Sequence, residues 1–231
     1  MPPLAPVGVR GQTWSLEHQM GARVFVLKQA GLVYLANPKT ATQALRAMLK
    51  PYAKGSPEET MNKHINAQAF DRRWREKAVR IAGGEVETFA VMREPMSHMS
   101  SWFRYRQREA LRGHENSTYG MSFAEFVEGR LEEDQPPFAR IGRQDKFLGF
   151  MGAAERPVTY VFDYDRLDLL MLFLSERLGA DLAMPTRNVS PRPDDTDLTL
   201  PADLMARFRE AHAGEFALYD KVQDQGVLET R

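Results

Sequence analysis

Cysteine is missing altogether from the 231 residues. That excludes disulfides, thiolate zinc sites and cysteine nucleophiles, and it accords with a reducing cytoplasm. An excess of either charge is missing too, with 31 Lys and Arg against 31 Asp and Glu. General nucleic-acid binders and membrane-surface proteins carry a basic excess. No nucleic-acid polymer is therefore expected as a partner, and any anion must be met by locally placed Arg and Lys. The first 20 residues hold no apolar run of the kind a signal peptide needs. The longest apolar stretches, such as 167–174, are too short to span a bilayer. Histidines at HxxxH or HxH spacing are absent, so no metal site is expected. The glycine loop GxxxxGK[ST] of P-loop NTPases is absent as well.

What is present is 43% hydrophobic residues on a chain long enough to bury a core without staples. The composition predicts one soluble, cytoplasmic domain over 1–231, with the Pro- and Gly-rich residues 1–20 as an irregular arm. From Arg23 two β-rich runs flank Lys28-Gln29-Ala30-Gly31, and the second, 32–36, is continuously apolar like a strand covered on both faces. Helical spacing follows over 40–49 until Pro51 closes it. Further along, a helix is expected over 67–79, a buried strand over 88–92 and a long helix over 96–111. A short helix follows at 123–130, then a strand over 157–164, a helix over 167–178 stopped by Gly179, a Pro-rich loop over 185–201 and a last helix over 201–222. This alternation predicts an α/β fold with a central parallel sheet flanked by helices.

Open parallel sheets bind ligands beyond the carboxyl ends of their strands. The first such end reads Asn37-Pro38-Lys39-Thr40-Ala41-Thr42-Gln43. A helix start offers unmet N–H groups and partial positive charge, Lys39 adds a cation, and Thr40 and Thr42 add hydroxyl donors. Read alone, it is equally an ordinary helix start with an incidental lysine. At the second end Arg93 follows the strand directly, and Ser101 lies eight residues on. A strand-terminal arginine is a planar fork for a phosphate, and the serine two helical turns in can address the same anion. A structural Arg93 paired with Glu94 or Asp165 is the alternative.

PKTATQAL at 38–45 and VMREPMSHMSSWFRYR at 91–106 resemble the two nucleotide-binding signatures of sulfotransferases that use 3′-phosphoadenosine 5′-phosphosulfate (PAPS), closest to the carbohydrate-sulfotransferase branch. Further segments fit in order. Lys63-His64-Ile65-Asn66-Ala67 is similar to a family H-x-T-A segment, and 143–148 (RQDKFL) to a Q-x-x-(F/Y)-L segment. Residues 162–167 (FDYDRL) resemble a strand end with Asp165 in the acidic position, while Asn188-Val189-Ser190 and 215–219 (EFALY) resemble a late N-x-S and a closing D-x-x-L-Y helix. The likeness runs from about Leu32 to Tyr219. Four positions depart from it: Gln43 and Ala44 stand where hydroxyl residues are usual, His98 replaces an arginine, and Glu94 replaces Asp or Asn.

The resemblance implies a P-loop-like sulfotransferase fold and transfer of the PAPS sulfuryl group to a hydroxyl or amine of a small-molecule or saccharide acceptor, leaving adenosine 3′,5′-bisphosphate. It places Pro38, Lys39, Thr40, Ala41, Thr42 and Gln43 around the 5′ group, and Arg93 and Ser101 on the 3′-phosphate. Lys39 serves as the catalytic cation and His64 as the base, with no metal needed. His98, His114, Glu85 and Asp163 are lesser candidates for the base, and His64 is equally read as a capping or surface histidine. Arg104, Arg108 and Arg112 recur every four residues, either facing an anionic acceptor or forming a solvated face balanced by Glu109 and Glu115. The basic run at 72–80 carries the same two readings. Arg187 and Arg192 are placed in a loop that closes over the nucleotide. A binding module without catalysis and a small-molecule kinase are the competing functions.

Overall fold

The computed structural model describes residues 24–53, 64–152, 156–183 and 197–230. The 1–20 arm, Lys63, Arg187, Arg192 and the Asn188–Val189–Ser190 segment lie outside them. Strands β1 (Phe25–Leu27), β2 (Leu32–Tyr34), β3 (Glu87–Met92), β4 (Tyr160–Asp163) and β5 (Val227–Glu229) form one sheet in sequential order. β2, β3 and β4 run parallel, with Leu32 opposite Glu87 and Phe89 opposite Tyr160. β1 and β5 run antiparallel at the two edges. The sheet is therefore mixed, where an all-parallel one was expected. The reason at β1 is its connection: Lys28–Ala30 plus Gly31 at φ 61° is a turn too short for a parallel crossover. At β5 the chain turns through Gly226 at φ 71° and pairs back along β4.

Side chains alternate across β2 and β3, so each face of the sheet gathers its own core. Leu32, Tyr34, Phe89 and Val91 pack with Phe162 against α1 (Thr42–Leu49) and α7 (Leu167–Leu178), through Leu45, Leu49, Leu170 and Leu174. Val33, Leu35, Ala90 and Met92 pack on the other face against α2 (Ala67–Arg73), α3 (Arg75–Ala82) and α9 (Ala213–Gln225), through Phe70, Ala78, Leu218 and Val222. A third core joins α4 (Pro95–Arg106), α5 (Phe123–Leu131) and α8 (Ala202–Ala211), centred on Phe103, Phe126 and Phe208. Each fully buried phenylalanine contributes about 2–3 kcal/mol of apolar transfer. Among the described residues no helix is long and apolar enough to cross a membrane.

Two expected helices are broken. Trp74, at φ −134°, separates α2 from α3. His212, at φ −115°, separates α8 from α9; its Nδ1 meets the Phe208 carbonyl at 3.2 Å and its ring stacks on Phe208 at 4.2 Å. The long helix expected to 111 ends at Arg106, because the loop at 117–118 takes its last carbonyls. Thr118 N–H donates to Arg106 O, and Thr118 Oγ1 donates to Phe103 O. A short helix α6 (Gln144–Leu148) and strand β5 were not anticipated.

Candidate functional site

The chain leaves β2 at Asn37, whose Nδ2 donates to the Val91 carbonyl at 2.9 Å and so extends the β2–β3 pairing in side-chain form. The next residues alternate in backbone sign: φ is +67° at Lys39, negative at Thr40 and +57° at Ala41, after which α1 begins. Alternating left- and right-handed residues turn successive N–H groups into one concavity, the geometry of an anion nest. Positive φ in two residues other than glycine costs about 1–3 kcal/mol each, so surrounding contacts must hold the loop. Among the described residues, the N–H groups of Lys39 through Ala44 meet no acceptor. No side chain caps α1 either. Thr40 departs from expectation: its hydroxyl, fully buried, donates to the Asn37 carbonyl at 2.8 Å and closes the loop internally instead of facing a ligand. Thr42 is half-buried at the first helical position, Gln43 is exposed, and Pro38 is half-buried.

Arg93 stands at the end of β3 beside this loop. Its Nη1 donates to Lys39 O at 3.4 Å, its Nε donates to Ser97 Oγ at 2.8 Å, and its guanidinium lies 4.4 Å from the Tyr164 ring centroid. It forms no ion pair among the described residues; Glu94 instead caps α4, accepting from Ser97 N–H at 2.5 Å. The hydroxyl next to Arg93 is thus that of Ser97. Ser101 lies one turn further along α4, half-buried, with no side-chain hydrogen bond among the described residues.

Gln144 joins the two strand ends. Its Oε1 accepts from Asn37 Nδ2 and from Arg93 N–H, each at 3.0 Å, and its Nε2 donates to Arg93 O at 2.8 Å and Glu215 Oε1 at 3.2 Å. Glu215 also accepts from Gln144 N–H at 3.1 Å, and burial holds its carboxyl above the ordinary range. Tyr219, one turn on, donates to Asp163 Oδ1 at 3.3 Å, and that oxygen also accepts from Asp165 N–H. The segments around 143–148 and 215–219 therefore support the site from behind. A partly satisfied buried polar network is costly, and Gln144, completely buried, spends both ends of its amide here.

The charge distribution is one-sided. Lys39 extends its ammonium over the rings of Tyr105, 4.2 Å from the centroid, and Trp102, at 5.7 Å. Burial, then the charges of Arg108, Arg93 and Arg104, lower its pKa to about 8. Arg108 lies 4.6 Å from the Tyr105 centroid, and Arg104 donates to Ser100 Oγ at 3.3 Å. The expected single face of Arg104, Arg108 and Arg112 does not form, since the helix stops at Arg106. Arg112 pairs with Glu109 at 3.3 Å, whereas Arg108 meets no carboxylate among the described residues. Unmet amides flanked by cations that depress one another's charge suit a multiply charged phosphate or sulfate.

The histidines divide. His64 Nδ1 lies 2.7 Å from the Ala36 carbonyl, at the end of β2. Donation from Nδ1–H to this carbonyl orients the ring, and in the neutral imidazole it is then Nε2 that carries the lone pair. His98 is buried and its Nε2–H donates to Pro38 O at 3.0 Å. Burial, followed by neighbouring positive charges, drives its pKa down to about 3, so it is neutral and holds the loop. His114 is exposed and accepts from Asn116 N–H within its own loop. Asp163 is buried with its Oδ1 engaged as above, and Glu85 precedes the amino end of β3, at the opposite end of the strands, beside Arg75, Arg80 and Arg156. Glu85 therefore lies away from the strand ends that carry Lys39 and Arg93. Among the described residues no group of three His, Asp or Glu could hold a metal ion. Compared with known proteins, the chain matches no family model and no curated protein.

Proposed function

We propose that this chain is a PAPS-dependent sulfotransferase, acting on a hydroxyl or amine of a small-molecule or saccharide acceptor. The observation that carries the reading is the loop from Pro38 to Ala44, which carries Lys39 and unmet N–H groups and whose Lys39 carbonyl the strand-terminal Arg93 reaches. A kinase of the P-loop kind would want a glycine loop as well as a carboxylate pair for magnesium, and the glycine loop is missing from the sequence.

In such a transfer the S–O bond to the 5′-phosphate breaks, a bond from sulfur to the acceptor atom forms, and the acceptor's proton leaves to a base. The transition state is loose, so positioning and charge stabilisation dominate. The amides of the loop hold the 5′ group, and the Lys39 ammonium stabilises charge building on the leaving phosphate. Arg93 holds the 3′-phosphate, with Ser101 and the adjacent Ser97 within the same stretch of α4. His64, oriented through Nδ1, takes the acceptor proton at Nε2.

The test is a calorimetric titration with adenosine 3′,5′-bisphosphate beside 5′-AMP and ATP, with and without magnesium. The reading expects micromolar binding of the bisphosphate alone, lost in Arg93→Ala. No preference for the bisphosphate would end it, and magnesium-dependent ATP binding would favour the kinase. If the bisphosphate binds but the wild-type protein transfers no sulfuryl group, so that changing Lys39 or His64 has no catalytic consequence, the protein is a binding module.

A further inference from the structure

The row of cations that starts at Arg93 continues past the end of α4 to Arg108. Lys39 begins beside Arg93, whose Nη1 meets the Lys39 carbonyl, and its side chain then runs along α4 to the rings of Trp102 and Tyr105. At about 1.5 Å of rise per residue, Tyr105 lies roughly 15 Å along the helix from Pro95. The Arg108 guanidinium, 4.6 Å from the centroid of the same Tyr105 ring, thus flanks the Lys39 ammonium from the end opposite Arg93.

We infer that Arg108, supported by Tyr105 and Arg104, is a subsite for an anionic group (sulfate, phosphate or carboxylate) carried by the acceptor near its nucleophilic atom. This inference rests on the sulfotransferase reading. In-line displacement puts leaving group and nucleophile on opposite sides of sulfur. With the nucleotide held by the loop amides and Arg93, the acceptor approaches the ammonium from the Arg108 end. The charge pattern selects Arg108 and rejects its neighbour. Glu109 pairs with Arg112, which also covers the Tyr119 ring at 4.6 Å, whereas Arg108 is exposed, stacked and unmatched by any described carboxylate. A planar guanidinium fixed on a ring offers two parallel donors to such an anion, and its positive neighbours Lys39 and Arg104 make that anion more welcome still.

The full chain saturated with adenosine 3′,5′-bisphosphate is titrated with glucose 6-sulfate, glucose 6-phosphate, glucuronate and glucose. Arg108→Gln and Arg108→Lys are compared with Arg112→Gln as a control. At least one anionic sugar is expected to bind about tenfold more tightly than glucose, a difference of about 1.4 kcal/mol, and which one it is distinguishes the three anion types. Arg108→Gln removes that advantage, Arg108→Lys keeps part of it, and Arg112→Gln leaves it intact, while bisphosphate affinity stays within about twofold throughout. Anionic sugars binding no better than glucose would overturn the inference. So would a loss of bisphosphate affinity in Arg108→Gln equal to the loss for the sugar, since Arg108 would then belong to the nucleotide. Failure of the wild-type protein to bind bisphosphate is a separate result that removes the sulfotransferase reading and this subsite together.

Discussion

His98 hangs the 38–44 loop from α4: its Nε2–H meets the carbonyl of Pro38 at 3.0 Å, the residue immediately before Lys39 takes its left-handed turn. The position that carries arginine in the sulfotransferase signature is here a buried neutral donor, so its contribution is geometric and carries no charge. His98→Ala, which loses the bond and leaves a cavity, is expected to cost about 2–3 kcal/mol in urea unfolding. His98→Gln, which keeps a donor, costs less and retains more anion affinity. His98→Arg places an unpaired charge between Lys39 and Arg130 and is expected to destabilise by about 3 kcal/mol or more. A His98→Arg protein as stable as wild type, with tighter bisphosphate binding, would show that the imidazole has no such role.

Lys39 carries its charge at a cost to the folded chain. Its pKa is about 8 in the folded chain against 10.5 for a solvated lysine side chain, so between those limits the unfolded chain binds the extra proton and folding stability rises with pH. At neutral pH the ammonium is charged at a cost, reduced by its partial contact with solvent. Lys39→Met is therefore expected to stabilise the ligand-free protein by about 1–2 kcal/mol. That corresponds to a rise in Tm of about 2–4 °C per kcal/mol at this chain length. Anion affinity should fall at least about tenfold in the same variant. A lower Tm with unchanged affinity would remove Lys39 from the site.

The same shift sets the pH profile of anion binding. A bound anion favours the ammonium and raises its pKa, so binding takes up a proton wherever the free site has lost one. Affinity for the bisphosphate, whose phosphate groups are fully ionised above about pH 7, is expected to be flat from about pH 7 to 7.5 and to decline by up to about tenfold per pH unit above pH 8. Calorimetry at pH 7 and 9, in buffers of different ionisation enthalpy, reads the proton uptake directly. Lys39→Met should flatten this profile, and a wild-type profile that is flat from pH 7 to 9 would contradict it.

The strand ends were legible because a buried strand writes itself as an unbroken apolar run, and the polar residues that interrupt it mark where the sheet meets solvent. Asn37 to Gln43 and Arg93 were found in this way, and the structure brings them together. The supporting network was not legible as a network. Gln144 lies 51 residues from Arg93, and Glu215 lies 71 from Gln144, so only tertiary contact reveals that one amide ties both strand ends. The break at His212 was invisible for a related reason. The apolar period continues across it, and only the packing of the imidazole on Phe208 shows why the helix yields there. Thr40 was misread because an exposed and a buried hydroxyl look alike in sequence. The different fates of Arg108 and Arg112 turn on where α4 stops, which the loop at 117–118 decides from outside the helix.

Acid should strike the site from behind. His98 and His212 border one small buried space with Arg130 and Glu215. Burial is the main reason their pKa values fall to about 3 and about 4, His98 being further opposed by Arg93, Lys39 and Arg130, and His212 by Arg130 and Arg143. Both values lie below the 6.5 of a free imidazole, so the unfolded chain binds two protons that the folded chain refuses. Their contribution to stability is complete above pH 6.5 and is lost as pH falls toward 4, by up to about 2.7 kcal/mol per pH unit for the pair. Glu215 works in the opposite direction, because a carboxyl with a raised pKa holds its proton better in the folded state and so gains as pH falls through its own window. The net expectation is a urea midpoint that drops steeply between pH 6 and 4. A double variant, His98→Gln with His212→Gln, should start less stable at pH 7 and lose distinctly less on acidification. Parallel pH profiles for the variant and the wild-type protein would place the acid sensitivity elsewhere in the molecule.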